Sequence, residues 1–185
     1  MIIICSSQSC MLTDQHYLYT QNIQNNLKVG YVPMIKGLYE AHLPVSNLQK
    51  SIEFYQKLDL EIAYQSKKAV FFWIEKGKSW LGLWETDKVN TPYHPSLRHV
   101  AFQIDRDDMN NIKNWLEEKG IAIKPDFGFS GEEQPLVLNN NPQAHAAIYF
   151  EDPDGNSLEF ISPLRLDFEE AFEKMTLEEW ERIQE

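Results

Sequence analysis

Tyr149-Phe150-Glu151-Asp152-Pro153-Asp154-Gly155-Asn156-Ser157-Leu158-Glu159 is the stretch on which the fold turns. It reads as strand, tight turn, strand. Aromatic residues suit a pleated surface, Pro153 fixes φ, and Gly155 offers a positive φ. The first strand reaches back to residue 144 and the second runs to residue 162. Upstream, Arg98-His99-Val100-Ala101-Phe102-Gln103-Ile104 is another strand. Asp107 or Asp108 then caps a helix carrying Met109, Ile112, Trp115 and Leu116, which Gly120 ends in the left-handed conformation. Residues 121–124 form a further strand, and residues 125–141 a long polar loop.

The same order occurs earlier in the chain. Residues 38–45 read as a strand. Ser46-Asn47-Leu48-Gln49 has a capping-box pattern, with Ser46 at the cap and Gln49 three residues on. Leu48, Ile52, Tyr55 and Leu58 recur at helical steps. Strands follow at residues 60–64, 69–74 and 79–85, with Lys76-Gly77-Lys78 as a turn. The unit β-α-β-β-β is therefore written twice, over residues 37–93 and 94–163. Superposing the copies sets Glu40 on His99, Val45 on Ile104, Ile52 on Ile112 and Tyr55 on Trp115. The expected fold is α+β: two paired βαβββ modules forming an open, cup-shaped mixed sheet with helices outside. A duplicated unit of this kind pairs about a pseudo-two-fold axis and builds a shared concave surface.

Residues 1–33 read as an N-terminal extension outside the core, residues 34–163 as the domain, and residues 164–185 as a helical tail. In the tail Leu166, Phe168, Phe172, Met175, Leu177 and Trp180 suit one or two amphipathic helices that cover a sheet edge or form an oligomer contact. The net charge of −11 argues against nucleic-acid and anionic-membrane partners, which require a basic face. No apolar run reaches the roughly 18 residues a spanning helix needs. Two cysteines, Cys5 and Cys10, are too few and too close together for a disulfide-built fold, so a reducing cytoplasm is expected.

Side chains two apart in a strand share a face, so Glu40 and His42 point the same way, and the repeat sends His99 to the matching face. Glu159 is a carboxylate between apolar neighbours, and a charge there turns inward only when paired or bound to metal. Imidazoles and carboxylates drawn from separate strands form the donor set of a divalent ion: Mn, Fe, Zn, Ni or Co. Alternation fixes two faces without saying which is inside, so a solvent-facing Glu159 stays open on spacing alone. His145 shares a face with Tyr149 and either lines a pocket or sits at the surface. Trp73, Trp80 and Trp84 either floor a hydrophobic ligand cavity or belong to the core, the commoner place for aromatic strand residues, and Trp84 is the candidate substrate contact. His94, before Pro95, reads as a turn residue.

Val45-Ser46-Asn47-Leu48 with Ser51-Ile52-Glu53-Phe54-Tyr55, Arg98-His99-Val100-Ala101-Phe102, and the opening stretch together resemble the vicinal oxygen chelate superfamily. Its members include glyoxalase I, fosfomycin-resistance thiol transferases, extradiol dioxygenases and bleomycin-resistance binding proteins. The resemblance spans residues 37–163. It implies metal ligands at His99 and Glu159, and a first ligand five residues before Val45, at Glu40. His42 is then the acid/base group; the reverse assignment, His42 as ligand and Glu40 as base, stays open. Trp80-Leu81-Gly82-Leu83-Trp84 lacks the fourth ligand of glyoxalase I, which moves the likeness toward thiol transferases and dioxygenases. Tyr149 matches a substrate-contacting tyrosine of the fosfomycin enzymes. Their arginine beyond the last ligand falls near Phe168, with Arg165 as an approximate stand-in. The resemblance therefore implies a metal-dependent lyase, isomerase or thiol transferase acting on a small oxygenated metabolite, with a thiol as possible co-substrate, working as a homodimer. A non-catalytic bleomycin-resistance-like binder and a dioxygenase-like oxidoreductase are the alternatives.

Overall fold

The computed structural model describes residues 37–89, 97–139, 144–164 and 172–184. The chain divides into residues 1–38 and 39–185, and all the strands and helices described belong to the second unit. The extension at residues 1–33, His94, Arg165 and Phe168 lie outside the described residues. No described helix is long and apolar enough to cross a membrane.

The first module runs β1 (Glu40–Val45), α1 (Leu48–Lys57), β2 (Ile62–Gln65), β3 (Ala69–Glu75) and β4 (Ser79–Glu85). Its sheet has the order β1-β4-β3-β2, with β1 parallel to β4 and the others antiparallel. The cap of α1 is Asn47, not Ser46: the Asn47 side chain accepts from Lys50 N–H at 3.0 Å. Ser46 N–H instead reaches the second module, donating to Asp154 Oδ2. Leu48, Ile52 and Tyr55 turn into the core, as their spacing requires.

The second module runs β5 (His99–Gln103), α2 (Arg106–Met109), α3 (Ile112–Glu118), β6 (Leu136–Leu138), β7 (His145–Glu151) and β8 (Ser157–Pro163). β9 (Met175–Thr176) and α4 (Leu177–Gln184) follow. The sheet order β5-β8-β7-β6-β9 repeats the first, with β5 parallel to β8 and β9 added at the edge. Two sheets, open and not closed into a barrel, bear out the α+β reading.

Three local expectations are corrected. The second helix starts after Asp105 and breaks at Asn110 and Asn111, residues whose side chains compete for backbone hydrogen bonds, giving α2 and α3. The strand expected at residues 121–124 shrinks to one bridge between Ile123 and Phe150. The supposed loop beyond it contains β6, which takes up the pairing with β7. The tail contributes a strand as well as a helix. Thr176 and Glu179 cap that helix reciprocally, and these hydrogen bonds hold the Glu179 carboxyl below its usual range.

Alternation sorts each strand into two faces. Leu43 and Val45, Val70 and Phe72, Leu81 and Leu83, Ile148 and Phe150, and Leu158 and Phe160 join the helices in one core shared by both modules. Trp73, Trp80 and Trp84 lie outside that core, so of the two places open to them from the sequence the core is not the one they take. The opposite faces carry the polar candidates.

The Asp-Pro-Asp-Gly turn links the halves. Asp152 Oδ1 accepts from the backbone N–H groups of Asp154 and Asn156, and Oδ2 accepts from Asn156 Nδ2 and Tyr55 OH. Asn156 Nδ2 also donates to Pro44 O. Gly155 takes φ +72°, which a side chain there would strain. Burial raises the Asp152 carboxyl above its usual range, against the pull of these hydrogen bonds, and pushes the Tyr55 phenol well up.

Candidate metal centre

Strands β5 and β8 lie side by side in parallel, pairing His99 with Ser157 and Ala101 with Glu159. On the face away from the core, His99 Nε2 stands 3.1 Å from Glu159 Oε2, and His99 Nδ1 is 3.2 Å from Ser157 Oγ. Glu159 is only 6 % exposed. Its other oxygen accepts from Tyr149 OH at 3.1 Å, and His145 Nε2 lies 3.9 Å from that oxygen. Burial, then the Glu159 charge, drive the Tyr149 phenol far above its ordinary value, so it stays a donor. Phe127 and Phe129, from the segment before β6, pack on the Tyr149 side of this face.

The first module builds a second group. Glu40 Oε2 accepts from Trp80 Nε1 at 2.7 Å and lies 3.5 Å from His42 Nε2. The His42 ring rests over Gly82, its neighbour on β4, where a Cβ would come within 2.6 Å of His42 Cδ2. The place on β4 that lacks a fourth ligand is thus occupied by an imidazole. Phe71 and Trp84 flank that ring, at centroid distances of 5.7 and 5.8 Å.

Of the expected residues, the structure unites His99, Glu159, Tyr149 and His145 on one face, and Glu40, His42 and Trp84 on the other. Among the described residues no three His, Cys, Asp or Glu side chains converge tightly enough to hold a metal, so Glu40 stands apart from the His99–Glu159 pair. Ser157 reads from the sequence only as a strand start, and Trp80 as cavity floor or core, yet each holds a polar candidate, Ser157 against His99 and Trp80 against Glu40. Alternation along β8 puts Ser157 on the face of Glu159, whereas Trp80 meets Glu40 through the β1–β4 register.

The sequence profile of the Glyoxalase/Bleomycin resistance protein/Dioxygenase superfamily matches residues 37–160. The chain belongs to this superfamily. Within the glyoxalase superfamily it is similar to metallothiol transferase FosB of Staphylococcus haemolyticus: 33 % identity over 128 residues, covering 68 % of this chain and 83 % of that one. It is 27 % identical over 128 residues to glutathione transferase FosA of Serratia marcescens, covering 68 % and 80 % of the two chains. The crystal structure of the genomically encoded fosfomycin resistance protein FosX from Listeria monocytogenes matches with TM-score 0.50 at 26 % identity, covering 70 % of this chain and 94 % of that one. These likenesses support, coarsely, a divalent-metal enzyme of thiol-transferase type that acts on small molecules.

Two of the expected donors, His99 and Glu159, have the spacing of ligands on one divalent ion, without a third beside them among the described residues. Two ligands each about 2.1 Å from one metal span roughly 3.0–3.4 Å at square to tetrahedral angles. The His99–Glu159 separation of 3.1 Å lies in that span. The tautomer with Nδ1 donating to Ser157 Oγ leaves the Nε2 lone pair for a cation shared with Glu159 Oε2, whereas the other tautomer makes Nε2–H a hydrogen-bond donor to that carboxylate.

Proposed function

We propose that this protein is a divalent-metal-dependent thiol transferase whose substrate is a small oxygenated electrophile, and that it works as a homodimer. The observation that carries the reading is the His99 Nε2–Glu159 Oε2 pair, held at 3.1 Å with its outer atoms engaged by Ser157 and Tyr149. When bound, the cation would supply Lewis-acid polarisation of a substrate oxygen.

His99 and Glu159 hold the ion, and Glu40 is the third donor. The Glu40 contacts with Trp80 and His42 both fall on Oε2, and Oε1 takes no hydrogen bond from the described residues. Because Glu40 stands apart from the pair in one chain, the reading places Glu40 of one copy beside His99 and Glu159 of the other. Ser157 fixes the His99 tautomer. Tyr149, by donating to Oε1, turns Oε2 toward the ion. His42 takes the proton from the thiol, and its ring is held for this by Gly82, Phe71 and Trp84. His145, beside Glu159 and Tyr149, and Trp84 border the substrate.

The test is metal content and thermal stability of the purified protein with Mn²⁺, Zn²⁺, Ni²⁺ or Co²⁺ added, together with thiol consumption against a panel of epoxides. Near-stoichiometric metal, a rise in Tm with that metal, and loss of both in Glu159→Gln are expected. Trace metal with unaltered small-molecule binding in Glu159→Gln would instead establish a non-catalytic binder, the reading that the separation of Glu40 from the pair favours.

A further inference from the structure

Six aromatic side chains cover the outer face of the first sheet: Tyr39, Tyr64, Phe71, Trp73, Trp80 and Trp84. Their rings touch in sequence. Tyr39 meets Trp80 at 5.4 Å, Trp80 meets Trp73 and Phe71 at 5.2 Å each, and Phe71 meets Trp84 at 6.0 Å and Tyr64 at 6.1 Å. None belongs to a hydrophobic core cluster, and Tyr39, Tyr64 and Trp84 are 58 %, 58 % and 46 % exposed. The wall surrounds His42 and Glu40 and is continuous with the site.

The strands themselves carry only acidic charge; the lysines of the first sheet sit in its turns, Lys67 and Lys68 between β2 and β3 and Lys76 and Lys78 between β3 and β4, with Lys76 paired to Glu61 and Lys78 to Glu75. Strands β1 to β4 contain no lysine or arginine, and neither do β5 to β9. The acid nearest the rings is Glu40, bonded to Trp80 itself. Two lysines border the second module's outer face, and both are engaged: Lys124 with Asp126 and Glu151, and Lys174 over the Phe127 ring. Stacked indoles and phenyls with an adjacent carboxylate attract flat conjugated groups and repel anions.

We propose that this wall is the substrate's seat and that the substrate is a planar aromatic compound without an anionic group, such as an aryl epoxide. The inference rests on the thiol-transferase reading and deepens it. In that reaction the thiol sulfur bonds to an epoxide carbon, the carbon–oxygen bond breaks, and the thiol proton ends on the new hydroxyl.

The experiment uses the full chain, metal-free and Mn²⁺-loaded. Tryptophan fluorescence is titrated with 1-phenyl-1,2-ethanediol and, separately, with 1,2-dihydroxypropylphosphonate. Conjugation of a thiol is followed with styrene oxide and with an epoxypropylphosphonate. Saturable quenching by the phenyl diol in both forms of the protein, weakened about five- to tenfold in Trp84→Ala and in Tyr64→Ala, is the expected result. Little response to the phosphonate and faster turnover of styrene oxide complete it. Binding of the phenyl diol without turnover by any thiol supports the substrate class while sinking the thiol-transferase reading. Preference for the phosphonate, or unchanged phenyl-diol binding in both variants, overturns the class and leaves the reaction standing. If Trp84→Ala instead converts dimer to monomer in light scattering and the unmodified protein shows no saturable quenching, the wall is an interface between copies and the proposal fails.

Discussion

Glu159 illustrates how much one side chain's neighbours decide. Its carboxylate is buried, flanked by His99 on one oxygen and Tyr149 on the other. Tyr149→Phe removes the donor and leaves the packing, so metal affinity should fall about 10- to 100-fold with little change in Tm of the metal-free protein, measured by competition with a chelator. Tyr55 poses the converse case. Its hydroxyl serves the Asp152 carboxyl deep in the core, far from chemistry, and Tyr55→Phe should cost about 1–2 kcal/mol of unfolding free energy by urea titration with metal binding intact. Asp152 also sets a pH dependence. Its carboxyl is raised in the fold, so the folded state favours the protonated form. That contribution is fully present below the unfolded pKa of about 3.9 and is lost as pH climbs through the higher folded value. The stability of the unmodified protein relative to Asp152→Asn should therefore decline across that window, read from urea midpoints at a series of pH values.

At the level of strands and helices, β4 gives the sharpest prediction. Gly82→Ala drives a Cβ into His42, whose ring must leave Glu40. A methyl group in a strand is otherwise well tolerated, so kcat should drop roughly ten- to hundredfold while Tm moves little. Element legibility followed periodicity. Residues 79–85 and the turn at residues 152–155 were readable because alternation and turn chemistry agree there. The start and the break of the second helix, and the fate of the strand at residues 121–124, were not. A run of Asp and Asn offers several caps at once, and the break at Asn110–Asn111 depends on which of them wins. β6 lay hidden in a polar segment because its three residues are too few to display a period. The site divided similarly: His99 and Glu159 were visible as polar residues in apolar strands, whereas Ser157 and Trp80 matter through partners that only the strand register brings close.

For the molecule as a whole, the decisive matter is where the third donor comes from. If Glu40 completes the site of a second copy, Glu40→Ala and Glu159→Ala are each inactive alone. Mixing them under conditions that exchange subunits should restore about a quarter of the activity, since one site of each mixed dimer is intact. A pairing within one chain predicts no recovery, and the assay is simply the rate before and after mixing. The clamp formed by Tyr55, Asp152, Asn156 and Pro44 bears on the history of the duplication. Each half has surrendered part of its own satisfaction to the other: a tyrosine from the first fills the hydrogen-bonding needs of a turn in the second, and a backbone carbonyl of the first is answered by that turn's asparagine. Neither ancestral copy survives as a free-standing unit under such an arrangement. Produced separately, the fragments should remain unstructured, and only co-expression should return a folded product.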